Sequence, residues 1–322
     1  CAGKTFIAGA DITEFGKPPS GTPLHDVVAA IESSPKPVVA AIHGTALGGG
    51  LEVALGCHYR YAVPKSMVGL PEVKLGLLPG CGGTQRLPRL VGAEQALDLI
   101  VNGTFVPAPK ARELGIVDEV GDDLVGGAVA YAGKLAAEGA PLKKVRALKV
   151  EAAPGVFDDY RKKIGRSARG FLAPWKCFDC VEAAATLPFD EGMKRERELF
   201  KICHDPPESA AQRHVFFAER EVAKIPDVPK DTPVRKIEKV AMIGAGTMGG
   251  GIAMSCANVG IPVKLLERAK ESMDKGMAKV RANYETSVKR GSMAAEEMEA
   301  RYARIQPVDS YEAIADADFV IE

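Results

Sequence analysis

Apolar residues follow two rhythms along the chain. Up to about residue 120 they come in short unbroken runs set off by glycine. "KPVVAAIHG" (36–44) places Val38, Val39, Ala40, Ala41 and Ile42 side by side with no polar alternation, the pattern of a strand buried on both faces. After a glycine run, "GLEVALGCHY" (50–59) predicts a helix. "YRYAVPKSMVGLPEVKLGLLP" (59–79) predicts a short strand, a loop and a turn. From Ala93 the rhythm becomes helical, in "AEQALDLIVNG" and "APKARELGIVDEVG". "GAVAYAGKLAAEG" (127–139) and "DEGMKRERELFKICHD" (190–205) carry the three-to-four spacing of helices with one apolar stripe and a charged face.

A break follows. "KIPDVPKDTPVRK" (224–236) holds three prolines among alternating charges, which predicts a linker. Beyond it the unbroken runs return. "KVAMIG" reads as a buried strand, "GIAMSCANVG" as a helix closed by glycine, and "IPVKLLE" as a second strand ending in an acid. Two helical stretches and a last strand, "DFVIE", complete the pattern. The expected organisation is an α/β protein in three parts: residues 1–125, a helical region with linker at 126–236, and 237–322. The halves share no internal repeat.

Composition narrows the function. Lys and Arg number 42, as do Asp and Glu, so the net charge is zero and nothing favours nucleic acid or an anionic membrane surface. No stretch approaches the roughly 20 apolar residues of a membrane span. Seven cysteines are too sparse for a disulfide framework, so a reducing compartment is expected. Cys177 and Cys180 form a CxxC without a second pair, within a helical pattern, and read as structural; so do Cys57-His58 and Cys203-His204. No metal site is expected.

"GAGTMG" sets Gly244, Gly246 and Gly249 in the order G-x-G-x-x-G, between a strand and a helix, with Glu267 at the next strand's end, 18 residues past the last glycine. That context is what a dinucleotide-binding fold requires. Gly244 permits the turn, Gly246 lets the backbone approach a pyrophosphate, and Gly249 lets helix and strand pack closely. Glu267 can accept hydrogen bonds from a ribose 2′-hydroxyl and repels a 2′-phosphate, so NAD is expected over NADP; Arg268 beside it weakens that preference. The alternative is a solvated strand end and glycines that only turn the chain.

"GTALGGGLEVALG" (44–56) puts Gly48, Gly49 and Gly50 where a helix usually wants a capping side chain. A bare helix N-terminus offers N–H groups and partial positive charge, so the run suggests an oxyanion site. "FIAGADITEF" (6–15), an apolar strand end running into Ala-Gly-Ala-Asp, is the candidate second donor. Glu52 lies about one turn further along the helix, and Glu72 sits in "GLPEVKLG", read as a loop. Two carboxylates beside such a site would form an acid/base pair around a water. Spacing alone does not bring them together. Glu52 can also be a first-turn acid favoured by the helix dipole, and Glu72 an exposed loop charge.

"FIAGADITEF", "KPVVAAIHGTALGGGLEVALGCHYRYAV" and "GLPEVKLGLLPGCGGTQRLPRLVG" closely resemble the crotonase (enoyl-CoA hydratase/isomerase) family over about residues 1–125. "PAPKARELGIVDEV", "LPFDEGMKRERELF" and "AQRHVFFAER" resemble the connecting region of multifunctional β-oxidation enzymes. "KVAMIGAGTMGGGIAMSCANVGIPVKLLE" resembles the NAD domain of 3-hydroxyacyl-CoA dehydrogenase. The resemblance implies a crotonase-like ββα spiral, a helical connector and a Rossmann-type domain. It implies Ala10 and Gly49 as the oxyanion donors, Glu52 and Glu72 as the catalytic pair, and Gly244, Gly246, Gly249 and Glu267 as the NAD site. The reaction implied is hydration of a trans-2-enoyl-CoA to a 3-hydroxyacyl-CoA, which NAD then oxidises in the full-length parent. A 3-enoyl-CoA isomerase, or a non-catalytic module binding NAD and acyl-CoA, are the alternatives. Expected partners are an acyl-CoA thioester and a thiolase subunit or a second copy of the chain; the expected compartment is the bacterial cytoplasm, with the peroxisome as the other. The sequence starts at Cys1 and stops in "ADADFVIE", so it is expected to be a fragment of a longer protein. None of the five histidines follows the glycine fingerprint, so no dehydrogenase turnover is expected from this chain itself.

Overall fold

In a computed structural model of the protein, which describes residues 3–14, 21–222, 224–229 and 231–322 and only the backbone of Thr13, the chain divides into two units, Cys1–Ile225 and Pro226–Glu322. The first unit runs α1 (Leu24–Glu32), β1 (Val39–Ile42), β2 (Thr45–Leu47), α2 (Gly49–Gly56), β3 (Tyr59–Ala62) and β4 (Met67–Gly69). It continues with α3 (Gly83–Val91), α4 (Ala93–Val101), β5 (Val106–Pro107), α5 (Ala108–Glu113), β6 (Glu119–Val120) and α6 (Leu124–Ala137). Four more helices follow: α7 (Val156–Ile164), α8 (Ala173–Thr186), α9 (Phe189–His204) and α10 (Pro207–Val222).

The unbroken apolar run becomes β1, which pairs in parallel with β3 in the register Val39↔Tyr59 to Ile42↔Ala62; β6 extends the same sheet. A second small sheet holds β2 parallel to β4 and β4 antiparallel to β5. Parallel neighbours need crossovers, and α2 lies on the connection that carries the chain from β1 to its parallel neighbour β3. The sequence pattern carries α2 on to Tyr59, but the helix stops at Gly56. Cys57 there turns extended (φ −70°, ψ 151°), and a Cβ on Gly56 would stand 2.7 Å from Val28 Cγ1 on α1. "FIAGAD" makes only an isolated parallel bridge, Ile7 to Ala46, rather than a strand. "GLPEVKLG" is a short 3-10 helix over Glu72–Leu75 rather than a loop.

One core runs through the unit: Ile42, Leu51 and Leu55 meet Leu97 and Ile100, and Phe178, Val181 and Leu199 close over them. Each such side chain contributes about 1.5–3 kcal/mol when buried. Of the helices expected as a connecting region, α7, α8 and α9 share the core of the first 125 residues. Cys177 and Cys180 are buried within α8, and His58 accepts the Val38 N–H at 3.1 Å through Nδ1, so these residues serve packing.

The second unit holds β7 (Val240–Ile243), α11 (Thr247–Asn258), β8 (Val263–Leu266), α12 (Lys270–Lys289), α13 (Ala295–Tyr302), β9 (Ile305–Val308) and β10 (Phe319–Ile321). Its sheet is parallel throughout, in the order β10-β7-β8-β9. The chain moves outward from β7 through β8 and β9, then returns to the other side of β7, and such switch points are where doubly wound folds bind ligands. β9 escapes the sequence pattern because Pro307 interrupts it; an edge strand tolerates that proline.

Candidate active site

Three backbone segments build the first unit's site. Residues 6–9 run beside β2, with Ile7 N–H donating to Thr45 O at 3.2 Å and Leu47 N–H to Ile7 O at 3.1 Å. The chain then turns at Gly48 (φ 53°, ψ −127°) and enters α2 without a side-chain cap. Each glycine of the run has its own reason. Gly48 adopts a conformation that side chains rarely allow. A Cβ on Gly50 would stand 2.2 Å from Ile7 O, so Gly50 lets the two segments touch. Gly49 opens the helix, where its N–H has no intrahelical acceptor. The Ala10 N–H likewise has no backbone acceptor among the described residues. Ala10, Gly48 and Gly49 line one cavity of about 1590 Å³, together with Glu52, Glu72 and Cys81.

Glu52 is 3% exposed. Its Oε1 accepts the N–H groups of Cys81 at 2.7 Å and Gly83 at 2.8 Å, from the turn leading into α3. Burial raises its proton affinity, and those two bonds pull it back. Glu72 heads its 3-10 helix, which α10 holds in place: Ser209 Oγ donates to Leu75 O at 2.9 Å. The Glu72 carboxyl lies against Gly48, and its buried Oε2 has no hydrogen-bond partner among the described residues. Burial and the charge of Glu52 hold Glu72 well above the usual carboxylate range. Two carboxyls pushed to different degrees make an acid and a base available at one pH.

Sequence spacing misses a third carboxyl. Glu196 on α9, wholly buried, accepts the Gly82 N–H at 2.7 Å and pairs with Thr84 Oγ1 at 2.5 Å. Its signal lies in the apolar stripe Met193, Leu199 and Cys203, where a glutamate occupies a core-facing position. His25, also missed, lines the cavity with Nδ1 3.7 Å from Cys81 Sγ. The remaining lining divides by chemistry. Leu75, Leu78 and Phe216 are apolar, whereas Lys74, Arg197, Lys201 and Arg220 bring exposed cations.

In the second unit the glycine fingerprint follows β7, at the switch point. Gly244 has φ 95° and donates its N–H to Leu266 O at 2.7 Å. A Cβ on Gly249 would lie 1.9 Å from Gly244 O, while one on Gly246 would meet nothing within 4 Å. The helix start is thus tightly packed behind and open in front. Glu267, at the end of β8, accepts the Ala245 N–H at 3.4 Å and the Ala269 N–H at 3.2 Å, so its carboxylate borders the same loop. This cradle fits a dinucleotide: free N–H groups, no side chain in the way, and an acid where a ribose would sit. Among the described residues no group of three His, Cys, Asp or Glu could hold a metal ion, and no helix is long and apolar enough to cross a membrane.

Residues 1–157 match the enoyl-CoA hydratase/isomerase family, and residues 239–322 match the NAD-binding domain of 3-hydroxyacyl-CoA dehydrogenase. The chain is 42% identical to the peroxisomal bifunctional enzyme of Danio rerio, over 98% of this chain and 44% of that protein. It is 41% identical to the human protein of the same name, over 83% of this chain and 38% of that protein. It is 36% identical to the fatty acid oxidation complex subunit alpha of Shewanella amazonensis, over 99% of this chain and 48% of that protein. The chain spans less than half the length of these curated relatives.

Proposed function

From a chain that belongs to the family of enoyl-CoA hydratase/3-hydroxyacyl-CoA dehydrogenase fusions, we propose that the first unit hydrates a trans-2-enoyl-CoA and the second binds NAD for oxidation of the 3-hydroxyacyl-CoA product. The observation that carries the hydratase reading is the meeting of Glu52 and Glu72 beside the Gly48–Gly49 turn, in one cavity.

The Ala10 and Gly49 N–H groups receive the thioester oxygen, on which negative charge grows as water adds. Removing one such donor typically costs about 2.7–4 kcal/mol of transition-state stabilisation. Glu52, with Oε1 occupied by Cys81 and Gly83, uses Oε2 to take a proton from water as its oxygen bonds to C3. Glu72, whose hold on its proton is strengthened by burial and by the charge of Glu52, delivers that proton to C2. The C2–C3 double bond becomes single, and the two carboxyls exchange charge states until a proton passes back from Glu52 to Glu72. Leu75, Leu78 and Phe216 would border the acyl chain, and Lys74, Arg197, Lys201 and Arg220 the phosphates of coenzyme A.

In the second unit the open Gly246 backbone and the N-terminus of α11 would receive the pyrophosphate, and Glu267 the adenosine ribose. NAD, when bound, supplies the hydride acceptor. The relatives include peroxisomal and bacterial proteins, and the bacterial one is by name a subunit of a complex. That supports a partner subunit, a thiolase or a second copy of the chain, and the bacterial cytoplasm is the compartment we favour. Mass measurement of the assembly isolated from its source, and fractionation of that source, test both.

The decisive assay follows loss of enoyl-thioester absorbance, with a 3-enoyl thioester as the parallel substrate that exposes an isomerase instead. Glu72→Gln is expected to lower hydration about 10²–10⁴-fold while the fold is retained. Near-normal turnover in that variant overturns the assignment.

A further inference from the structure

We propose that Glu196 is a positioning residue of the first unit's site, holding from α9 the same turn that grips Glu52. The inference rests on reading Glu52 and Glu72 as the hydration pair.

Three successive N–H groups, those of Cys81, Gly82 and Gly83, are divided between two buried carboxyls from different helices. Cys81 and Gly83 donate to Glu52 Oε1 at 2.7 and 2.8 Å, and Gly82 donates to Glu196 Oε1 at 2.7 Å. Gly82 supplies the left-handed conformation of this turn, φ 95°. Thr84 Oγ1, which accepts Gln85 Nε2 at 3.0 Å, closes the clamp on Glu196 Oε2. Gln85 Nε2 also reaches Cys180 O at 3.1 Å, tying the turn to α8. A Cβ on Gly192 would lie 2.1 Å from Gln85 Oε1, so α9 is seated directly on α3. With the turn held from behind, Glu52 keeps Oε1 bound and Oε2 free. Without Glu196 the Gly82 N–H and the Thr84 hydroxyl lose their acceptor, and a buried donor left unpaired is destabilising. The turn then moves to find one, and Glu52 moves with it.

The clamp also carries charge. Facing Glu196 are Glu52 from α2, Glu72 from the 3-10 helix, Arg86 from α3, Cys81 from the turn, and Cys177 and Cys180 from α8. Arg86 already pairs with Glu32 at 2.9 Å. Burial, then the charge of Glu52, push Glu196 up to about 8, against the pull of Thr84, Gly82 and Arg86. Above that pH its negative charge helps Glu72 keep its proton.

The test compares Glu196→Ala with Glu196→Gln. Glutamine keeps the Gly82 bond through its amide oxygen, meets Thr84 Oγ1 with its amide nitrogen as donor instead of acceptor, and removes the charge. Alanine is expected to lower kcat about tenfold or more with a smaller change in KM. Glutamine is expected to restore most of that loss at pH 7, while the alkaline limb of kcat/KM moves down by up to about one pH unit. A purely structural role predicts superimposable limbs. Infrared titration without substrate reads the same carboxyl directly. The wild type should lose a carboxylic-acid band with a midpoint near 8, Glu196→Gln should lack that band, and Thr84→Val should move the midpoint up. A band unchanged in Glu196→Gln, an unmoved Thr84→Val midpoint or superimposable limbs overturns the role of Glu196. Absence of hydration in the wild type overturns the reading of Glu52 and Glu72, which the infrared result does not depend on.

Discussion

The Glu72 carboxyl occupies the space that a side chain on Gly48 would need: a Cβ built there comes 2.9 Å from Glu72 Oε1. The turn into α2 and the proposed acid thus interlock. Gly48→Ala meets this contact and also the positive φ of 53°. It is expected to destabilise the first unit by about 1–3 kcal/mol through backbone strain, and to displace Glu72 with loss of hydration. Gly49→Ala separates the two effects. Its Cβ would lie 3.0 Å from Leu24 Cδ2, the end of a flexible side chain. That variant should unfold near the wild-type denaturant concentration yet turn over more slowly, since a methyl group then stands beside the N–H proposed to receive the oxygen. Equal destabilisation in both variants would contradict this division.

The same pair fixes the shape of the pH profile. The proposed hydration needs Glu52 ionised and Glu72 protonated. Both carboxyls are raised from their ordinary value, Glu52 by burial against two opposing N–H bonds, and Glu72 further, by burial and the charge of Glu52. Hydration should therefore give a bell in kcat/KM whose alkaline limb lies well above ordinary carboxylate titration. Glu52→Gln should remove the acid limb along with about 10²–10⁴-fold of rate. The two limbs are macroscopic and belong to the pair. An alkaline limb in the usual carboxylate range would reject Glu72 as the acid.

What could be read from sequence followed the distance over which each feature is assembled. Gly244, Gly246, Gly249 and Glu267 lie within one strand–turn–helix–strand, so local spacing places them at one loop. Ala10 and Gly49 come together only because residues 6–9 lie beside β2, a pairing that spacing cannot supply. Glu72 stood in a segment read as a loop, and its buried position depends on α10 docking over Leu75. Glu196 shows locally only as an acid within the apolar stripe of α9; it meets Gly82 across 114 residues of chain, after α9 packs on α3. Resemblance to a known family pointed to a pair that spacing could not join, whereas Glu196 lay inside "LPFDEGMKRERELF", a stretch matched only as connecting region.

Stability should also carry the mark of Glu196. A carboxyl whose folded value is raised from 4.5 to about 8 binds more protons in the folded state than in the unfolded one across that interval. Stability contributed by the protonated form is then complete below about 4.5 and declines as pH rises through 8. Glu196→Gln removes the decline. Its unfolding free energy relative to wild type should rise steadily between those pH values, measured by denaturant titration of the full chain. A difference independent of pH would contradict the buried, protonated state.

The second unit offers a contrast among its glycines. A Cβ on Gly249 would come 1.9 Å from Gly244 O, where backbone cannot yield cheaply. Gly249→Ala should cost about 1–3 kcal/mol and weaken NAD binding by shifting α11 away from β7. Gly246→Ala finds open space and an ordinary φ of −69°, so it should fold normally yet bind NAD poorly, its methyl group standing where the pyrophosphate approaches. Gly251→Ala, also facing open space, is the control and should leave both properties alone. Calorimetric titration with NAD, paired with thermal unfolding, separates the three.

Cofactor choice turns on Glu267. Its Oε2 accepts the Ala245 N–H at 3.4 Å, which holds the carboxylate over the loop between the first two glycines. A ribose 2′-hydroxyl there finds an acceptor, whereas a 2′-phosphate meets like charge at short range. Arg268 is adjacent in sequence and can pair with a phosphate once the acid is neutralised. Glu267→Gln keeps a carbonyl oxygen for the Ala245 N–H and removes only the charge. NADP affinity should rise relative to NAD by about tenfold, or roughly 1.4 kcal/mol, in competition calorimetry. The gain should shrink with added salt, because its source is electrostatic. An unchanged ratio would mean that the 2′ position lies elsewhere, and that Glu267 serves only to fasten the Ala245 and Ala269 backbone.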